Sequence, residues 1–294
     1  MVDEPRFSPE QIAVLGAGVV GFASGRALLE CGHRVQFVDT DSHRVSELLA
    51  MGFDSSTTLR FDEPSVVVLV CVPTPVSEQS YDFDHLRHAL TMVAEAAKAS
   101  GGSHVCVVRS TVPPLTMDRI VAPFLETLLD GSTTVLQLAV VPEFLRQHSA
   151  LEDARSPRLT VIAATSAELR ERLRSLFGAL KGPVLTTEKY ANAELIKIAH
   201  NALNATKISF FNEIHQVSMA VGADEELVAS TIVDTAEAMW NPLYGTRGGT
   251  AFGGRCLPKD LEGLVAACGQ LLVATPLLEA VMKVNNSMPS PEHQ

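Results

Sequence analysis

Three glycines near the amino terminus have the spacing of a phosphate-binding turn. The segment GAGVVG at Gly16–Gly21 lies between a short apolar run, Gln11–Leu15, and an apolar helical pattern. Gly16 would allow a tight turn, Gly18 would let the backbone approach a pyrophosphate, and Gly21 would let the helix pack on a sheet. The unpaired N–H groups and the dipole at the start of the helix favour an anion there.

A carboxylate follows at the position expected of a ribose contact. Asp39 ends the predicted strand Arg34–Asp39, about 20 residues beyond the turn. A carboxylate there accepts hydrogen bonds from ribose hydroxyls and repels a 2′-phosphate, which favours NAD over NADP. We therefore predict an NAD site that includes Asp39 together with Val19 and Val20 of the turn. The alternative is a glycine turn in a Rossmann-like domain without a ligand.

Polar residues also follow two later predicted strands. Thr111 comes just after the strand His104–Arg109, and Glu143 just after the strand Val135–Val141. Ligands of open α/β sheets bind beyond the carboxyl ends of the strands, so both side chains are expected to face the nicotinamide. The spacing leaves two alternatives open, a helix N-cap for Thr111 and a solvated loop carboxylate for Glu143.

One cysteine lies between a glycine-rich loop and a predicted helix. The segment Phe252–Asp260 reads FGGRCLPKD, and Pro258 suits a first helical turn. A helix N-terminus and nearby cations lower the pKa of a thiol and so produce a nucleophilic thiolate. Cys256 is therefore the predicted nucleophile, and Asp260 would share its face of the helix. The other cysteines are predicted to be buried apolar side chains: Cys31, Cys71, Cys106 and Cys268.

A long predicted helix, Thr187–Val221, carries a polar stripe. Glu194, Lys197 and Asn201 fall at positions i, i+3 and i+7. A lysine and an asparagine aimed at one spot can stabilise an oxyanion or hold a water molecule. The alternative is an exposed helix face with a Glu–Lys pair. His200 lies off the stripe and is predicted to be structural.

Strands alternate with helices up to about Ala164, which predicts βαβ units and a parallel sheet. The predicted strands are Gln11–Leu15, Arg34–Asp39, Ser65–Val72, His104–Arg109, Val135–Val141 and Pro183–Thr186. The predicted helices are Val20–Cys31, Ser42–Met51, Phe83–Ala99, Pro114–Leu129, Ser166–Leu180, Thr187–Val221, Asp224–Thr235, Lys259–Gly269 and Thr275–Asn285.

The predicted fold class is α/β, with a Rossmann-like doubly wound parallel sheet followed by a mostly α-helical central domain that contains a long helix. We place the NAD-binding domain at residues 1–186, the helical central domain at 187–286 and a tail at 287–294.

The composition excludes several classes of protein. The 294 residues are 46% apolar and 19% charged, as in a globular protein with buried cores. A net charge of −11 argues against broad binding to nucleic acid or to an anionic membrane. The longest apolar runs are too short to span a bilayer, and no signal peptide is visible. Five cysteines without a CxxC pair predict a reducing, cytoplasmic compartment and neither a disulfide framework nor a metal site.

Six segments together resemble the UDP-glucose/GDP-mannose dehydrogenase family. They are GAGVVG at 16–21, CVPTP at 71–75, STVPP at 110–114, PEFLR at 142–146, AELIKIAHNALNATKISFFNEI at 193–214 and FGGRCLPKD at 252–260. The resemblance runs from about Gln11 to Asn286. It implies that a primary alcohol is oxidised to a carboxylate in two NAD-dependent hydride transfers.

The resemblance also implies roles for individual residues. Cys256 would attack the bound aldehyde, and the thiohemiacetal would lose a second hydride to give a thioester. Water positioned by Glu143 or Asp260 would hydrolyse that thioester. Lys197 and Asn201 would stabilise the oxyanion.

Further residues are assigned to binding by the same resemblance. Thr111 would hold a water molecule or the reacting hydroxyl. The remaining cofactor contacts are Val72, Pro73 and Thr74. The substrate contacts are Phe144, Leu145, Arg146, Phe252 and Gly253, in addition to Lys197 and Asn201. A homodimer is expected along the long helix, through a face made of Leu195, Ala199, Ala202, Ile208 and Phe211, for which the alternative is a buried core face.

Three departures from the family pattern bear on the substrate. Family members usually continue into a further C-terminal domain, and this sequence stops near where that domain would begin. The connection Gly52–Ser65 is short, and Val141 and Leu115 replace a small polar residue and a glycine. We therefore expect either a nucleotide sugar or a smaller phosphorylated or carrier-bound alcohol.

The predicted handle for an anionic substrate is one of four arginines: Arg109, Arg146, Arg247 or Arg255. Two other functions remain open. One is a two-electron dehydrogenase of the hydroxyacid type, and the other is a non-catalytic NAD-binding partner.

Overall fold

The computed structural model of the chain describes residues 9–290. The first eight residues, on which the absence of a signal peptide rests, and residues 291–294 of the predicted tail lie outside the described residues. The chain forms two compact units, with the boundary between His200 and Asn201 inside a long helix. Among the described residues no helix is long and apolar enough to cross a membrane.

The first unit contains an eight-stranded sheet and a small hairpin. The strands are β1 (Gln11–Leu15), β2 (Arg34–Val38), β3 (Asp54–Ser56), β4 (Val67–Val70), β5 (Val76–Ser77), β6 (Ser80–Tyr81), β7 (Ser103–Val108), β8 (Val135–Val140), β9 (Thr160–Ala163) and β10 (Val184–Thr187). The order in the sheet is β10-β9-β8-β7-β4-β1-β2-β3, while β5 and β6 pair with each other. Six strands, from β8 to β3, run parallel, and β9 meets β8 antiparallel.

Helices connect the strands of the first unit and make up the second. They are α1 (Val19–Glu30), α2 (Ser42–Ala50), α3 (Asp84–Ser100), α4 (Ala122–Leu129), α5 (Ala150–Arg155), α6 (Ala167–Gly178), α7 (Tyr190–Val221), α8 (Glu225–Thr235), α9 (Glu237–Trp240), α10 (Leu257–Gln270) and α11 (Pro276–Ser287). The predicted α/β class with a long helix is confirmed.

The central strands are buried on both faces, which explains their continuous apolar sequence. Along β4, Val68 and Val70 join a core that includes Leu90 of α3. Their neighbours Val67 and Leu69 join a second core on the opposite face. This alternation follows from the two-residue period of a strand. Helices therefore cover both faces of the sheet.

The carboxyl ends of four strands are aligned. Leu15 of β1 pairs with Val70 of β4, Val70 with Val108 of β7, and Val108 with Val140 of β8. Strand order reverses between β1 and β4, because the chain adds β2 and β3 on one side and β7 and β8 on the other. Loops that leave these strand ends diverge at that point, and a crevice for a ligand forms there.

The structure differs from the predicted elements at several points. Strands β3 and β9, helix α5 and the β5–β6 hairpin were not predicted. The helix predicted from Pro114 begins at Met117, with a π-helical turn over Met117–Val121. It cannot begin earlier because Leu115 has a φ of +73°, outside the helical region.

The described part of the second unit contains helices and loops but no strand. Helix α9 ends at Trp240, and residues 241–256 form the long glycine-rich loop that the sequence predicts. Five of its described side chains are buried: Glu213, Ser218, Cys268, Thr275 and Leu278. Glu213 of α7 accepts hydrogen bonds from the amides of Leu277 (2.5 Å) and Leu278 (3.2 Å) at the start of α11. A buried carboxylate thus fixes one helix on another within this unit.

Candidate cofactor and catalytic site

A cavity of about 610 Å³ opens at the aligned strand ends of the first unit. Its walls come from the glycine turn after β1, the end of β2, the loops after β4, β7 and β8, helix α3 and the first turns of α7. The predicted residues that line it are Gly16, Gly18, Val19, Val20, Asp39, Val72, Pro73, Thr74, Thr111, Glu143, Leu145 and Lys197. More than half of the residues that line the cavity were therefore predicted from the sequence as site residues.

The glycine turn is sterically required at two of its three glycines. Gly16 has a φ of +87°, and a Cβ there would lie 2.7 Å from the carbonyl oxygen of Cys71. A Cβ on Gly21 would lie 1.9 Å from the carbonyl oxygen of Gly16. A Cβ on Gly18 would meet nothing within 4 Å, because this residue faces open space at the start of α1. The turn thus leaves room for a ligand against its backbone, and this cradle fits a dinucleotide pyrophosphate.

Asp39 joins the end of β2 to the glycine turn. Its Oδ2 accepts a hydrogen bond from the amide of Ala17 at 2.7 Å, and its Oδ1 accepts one from the amide of Asp41 at 3.0 Å. Each carboxylate oxygen keeps a further lone pair. The side chain is therefore held in place on the cavity wall with capacity to accept from ribose hydroxyls.

The loops after β4 and β7 are tied together beside the cavity. The hydroxyl of Thr74 donates to the carbonyl oxygen of Thr111 at 2.5 Å, and the hydroxyl of Ser110 donates to that of Val72 at 2.7 Å. Thr111 does not cap a helix, since the next helical turn begins at Met117. The N-cap alternative for Thr111 is thus wrong.

Glu194 has a role that the sequence did not reveal. This side chain is buried and accepts hydrogen bonds from the amides of Leu115 (2.7 Å) and Met117 (2.8 Å). Burial raises its pKa, and these amides oppose the shift. The alternative of an exposed Glu–Lys pair is therefore wrong. The amide of Leu115 reaches Glu194 from a positive φ, a conformation that favours glycine.

Glu143 is paired with a buried arginine. Its Oε2 contacts Nη2 of Arg109, and its Oε1 accepts a hydrogen bond from the amide of Phe144 at 2.9 Å. Its side chain is only 12% exposed, so Glu143 is not a solvated loop carboxylate. Two of the arginines predicted to hold an anionic substrate are already engaged. Arg109 faces Glu143, and Arg146 forms a forked pair with Asp153, with Nη2 and Oδ1 2.7 Å apart.

Lys197 is half-buried on the cavity wall. Its Nζ lies 5.4 Å from the centre of the Phe144 ring, and the ring of His200 packs edge-on against the same Phe144 at 5.2 Å. Burial lowers the pKa of Lys197. An ammonium in such surroundings is poorly solvated and stabilises a nearby negative charge strongly.

Cys256 differs from the other thiols. It is exposed and lies immediately before α10, whose second residue is Pro258. Burial raises the pKa of Cys71 to about 11 and that of Cys106 to about 12, so both thiols stay protonated at neutral pH. Cys106 and Cys268 are buried as predicted, whereas Cys31 and Cys71 are only half-buried.

The remaining predicted site residues belong to the second unit. Asp260 is exposed and pairs with Lys259 at 2.9 Å. Asn201 is exposed one turn after Lys197 along α7. The amide of Phe252, next to Gly253, donates to Oδ1 of Asn285 at 2.7 Å, which anchors the loop before Cys256 to α11.

Comparison with known proteins identifies both units. Residues 51–181 match the NAD binding domain of the UDP-glucose/GDP-mannose dehydrogenase family, and residues 191–287 match its central domain. The GDP-mannose 6-dehydrogenase of Pseudomonas syringae pv. syringae is 32% identical over 300 residues, which cover 94% of this chain and 68% of that protein. The chain belongs to the UDP-glucose/GDP-mannose dehydrogenase family.

Similarity to another relative and to a solved structure supports the same family assignment. The UDP-glucose 6-dehydrogenase YwqF of Bacillus subtilis (strain 168) is 31% identical over 94% of this chain and 66% of its own length. A crystal structure of a ternary complex of GDP-mannose dehydrogenase from Pseudomonas aeruginosa superposes with a TM-score of 0.85 at 29% identity, covering 95% of this chain and 69% of that one. The predicted family, the NAD cofactor and the class, an NAD-dependent oxidoreductase of alcohols, are thus confirmed.

Proposed function

We propose that this family member oxidises the primary alcohol of a nucleotide sugar, of the GDP-mannose or UDP-glucose type, to a carboxylate. The observation that carries the proposal is the placement of Thr111, Glu143 and Lys197 on the wall of the cavity that holds the glycine cradle and Asp39. A hydroxyl, a carboxylate and a poorly solvated ammonium are the groups needed to move a proton and stabilise an oxyanion. The names of the relatives supply the substrate class.

The glycine turn and Asp39 would bind and orient the cofactor, which accepts a hydride from the substrate carbon in each oxidation. Lys197 would stabilise the negative charge on the substrate oxygen as the hydroxyl proton leaves. Thr111 would hold the reacting hydroxyl or a water molecule through its side-chain oxygen. The product of the first step is an aldehyde that stays bound.

Cys256 would make the second oxidation possible. Its sulfur would add to the aldehyde carbon, and the resulting thiohemiacetal would lose a hydride to the cofactor and its hydroxyl proton to a water molecule, which gives a thioester. Water attacks the thioester carbon, the C–S bond breaks, and the thiol and a carboxylate are released. Glu143 or Asp260 would take the proton from this water, while Lys197 and Asn201 stabilise the tetrahedral oxyanion.

The experiment that tests the proposal counts NADH formed per substrate consumed. We expect two NADH per GDP-mannose or UDP-glucose. We expect Cys256→Ala to abolish this turnover while NADH binding, measured by fluorescence, stays unchanged. Cys268→Ala is the matched control, because this buried thiol lies on α10, the helix that Cys256 precedes, and should leave turnover per folded enzyme unchanged.

The other outcomes separate the competing functions. One NADH per substrate and full activity of Cys256→Ala would indicate a two-electron dehydrogenase. Turnover of phosphorylated or carrier-bound alcohols without turnover of nucleotide sugars would indicate a changed substrate. NADH binding without any turnover would indicate a non-catalytic partner.

We also propose a cytoplasmic homodimer. Support for the reducing compartment comes from the five cysteines, which are all free. Support for the dimer comes from exposed apolar side chains, such as Leu195 at 55% and Ile208 at 63% on α7, and Leu243 at 78% in the loop after α9. Sedimentation at micromolar concentration should give twice the 31.5 kDa of one chain.

Ile208→Asp should shift that dimer to the monomer, because a charge would be buried in the interface. Leu49→Asp is the control, since Leu49 is 53% exposed on α2 of the first unit and lies outside the proposed face. A wild-type monomer, or a dimer that both variants leave intact, would contradict this assignment.

A further inference from the structure

Arg109 is the most deeply buried charged group on the wall of the cofactor cavity. It follows the last residue of β7 and is 6% exposed. Its Nη2 contacts Oε2 of Glu143 after β8, and its guanidinium carbon lies 5.2 Å from the centre of the Phe177 ring of α6. The guanidinium is therefore held by the carboxylate of Glu143 at one edge, and one of its faces packs on the ring of Phe177.

Stability does not explain this arrangement. Burial lowers the pKa of Arg109, which means that the fold disfavours its charge. Within residues 9–290, its Nε and Nη1 have no hydrogen-bond partner. A buried ion pair is often no more stabilising than apolar residues of similar volume, and unpaired buried donors make it worse. Groups held at such a cost are characteristic of functional sites.

The pair separates two cavities. Arg109 and Glu143 both line the cofactor cavity, and both also line a smaller one bounded by Ser24 of α1 and Phe177. The hydroxyl of Ser24 is buried and, like the two guanidinium nitrogens, lacks a partner in the described chain. The carboxylate of Glu143 is thus fixed at both oxygens, by Arg109 and by the amide of Phe144.

We infer that Arg109 is a positioning residue for Glu143, and that it is not a handle for an anionic substrate. Arg109 fixes the plane of the carboxylate, so that its free lone pairs face the cofactor cavity. It also neutralises Glu143, which would otherwise repel an anionic substrate and the oxyanion that forms during oxidation. This inference rests on the proposed role of Glu143 as the group that takes a proton from water.

The test is a double-mutant cycle with Arg109→Gln, Glu143→Gln and the double variant. For each we would measure kcat, the KM of the nucleotide sugar and the Kd of NADH. Each single variant should lose about 10²-fold or more in kcat, since general base catalysis contributes at least this much. The double variant should lose no more than the worse single variant, because the two residues act as one unit. KM and Kd should stay within about 3-fold.

Arg155→Gln is the matched control. Arg155 pairs with Glu30 on the surface, with 2.6 Å between Nε and Oε2, and should leave kcat unchanged. If Arg109→Gln does not fold, Arg109→Ala should be assayed with millimolar ethylguanidinium, which replaces the lost group. Rescue of kcat by ethylguanidinium but not by ethylammonium is expected, because only guanidinium carries the planar fork.

Three results would overturn the inference. One is full kcat in folded Arg109→Gln alongside an impaired Glu143→Gln, which leaves the proposed function intact. Another is a double variant whose loss of kcat equals the combined losses of the single variants, together with no recovery of kcat in Arg109→Ala on addition of ethylguanidinium. A purely structural role of Arg109 predicts this result. A third is full kcat in Glu143→Gln, which removes both the inference and the proposed role of Glu143.

Discussion

The two units of this chain hold their polar side chains in different ways. In the first unit Asp39, Glu143 and Glu194 each accept hydrogen bonds from backbone amides, so their positions are set before any ligand binds. In the second unit Cys256, just before α10, and Asp260, on its first turn, are both exposed. The residues on the cofactor cavity are therefore preorganised by packing, whereas Cys256, the proposed nucleophile, is open to solvent. Substitution of a buried carboxylate on α7 should therefore lower both the free energy of unfolding and the affinity for NADH in the first unit, and the free energy of unfolding alone in the second.

The largest effect is expected at the glycine turn. Gly21→Ala should lower the free energy of unfolding by about 3 kcal/mol or more, because its Cβ would lie 1.9 Å from the carbonyl oxygen of Gly16. Gly18→Ala should leave the unfolding midpoint nearly unchanged, since its Cβ would meet no atom within 4 Å. It should weaken NADH binding, because the same Cβ would occupy the space in which the pyrophosphate approaches the backbone. Thermal unfolding measures the stability of each variant, and NADH fluorescence measures its affinity for the cofactor. Equal stability of the two variants would contradict the steric argument.

Two buried glutamates on α7, one in each unit, allow the effects of equivalent substitutions in the two units to be compared. Glu194→Gln and Glu213→Gln should each lower the free energy of unfolding by about 1–3 kcal/mol, because a single amide oxygen cannot serve two N–H donors well. Only Glu194→Gln should also weaken NADH binding, since its donors lie in the loop that follows Thr111. A similar loss of NADH affinity in Glu213→Gln would show that the units do not behave separately.

The alkaline side of the pH profile should report on Lys197. Burial lowers the pKa of this amine, so it loses its proton at a lower pH than an ordinary lysine. If the ammonium stabilises the oxyanion, kcat should fall as pH rises towards that lowered pKa. Lys197→Arg should remove this fall, at a kcat reduced about 10-fold, because a guanidinium stays protonated. Lys207→Arg, on the exposed part of α7, is the control. A kcat that rises with pH would instead make Lys197 a base.

The smallest effect is expected at two leucines with positive φ, one in each unit. Leu115 has a φ of +73° and Leu272 a φ of +57°. Replacement by glycine should relieve this strain and raise the free energy of unfolding by up to about 1 kcal/mol. Leu272→Gly should gain more, since Leu272 is 94% exposed after α10 and loses no packing. Destabilisation of Leu272→Gly, measured by chemical denaturation, would contradict this.

The sequence predicted those parts of the fold that depend on local pattern. The glycine turn, Asp39 and strands β1, β2, β4, β7 and β8 follow from apolar runs that end in characteristic residues. Strand β9, which reads TVIA and is fully buried, was missed although its sequence is mostly apolar.

Partners that lie far apart in the sequence could not be predicted. Glu194 meets the amide of Leu115 across 79 positions, and Glu143 meets Arg109 across the gap between two neighbouring strands. Sequence spacing describes one helix face or one strand end at a time. Which faces meet is decided by the packing of helices onto the sheet, and this explains why the amide partners of Glu194 and the pairing of Arg109 with Glu143 were not predicted.

The aligned strand ends also limit how the chain length can vary without loss of the site. Inserting one residue within β4 would exchange its two buried faces and displace the loop that begins at Cys71 by about 3.3 Å. Inserting residues before β4, in the connection from β3, leaves the pairing of Val70 with Leu15 and Val108 intact. Length changes are therefore tolerated before the chain enters the parallel strands and harmful within them.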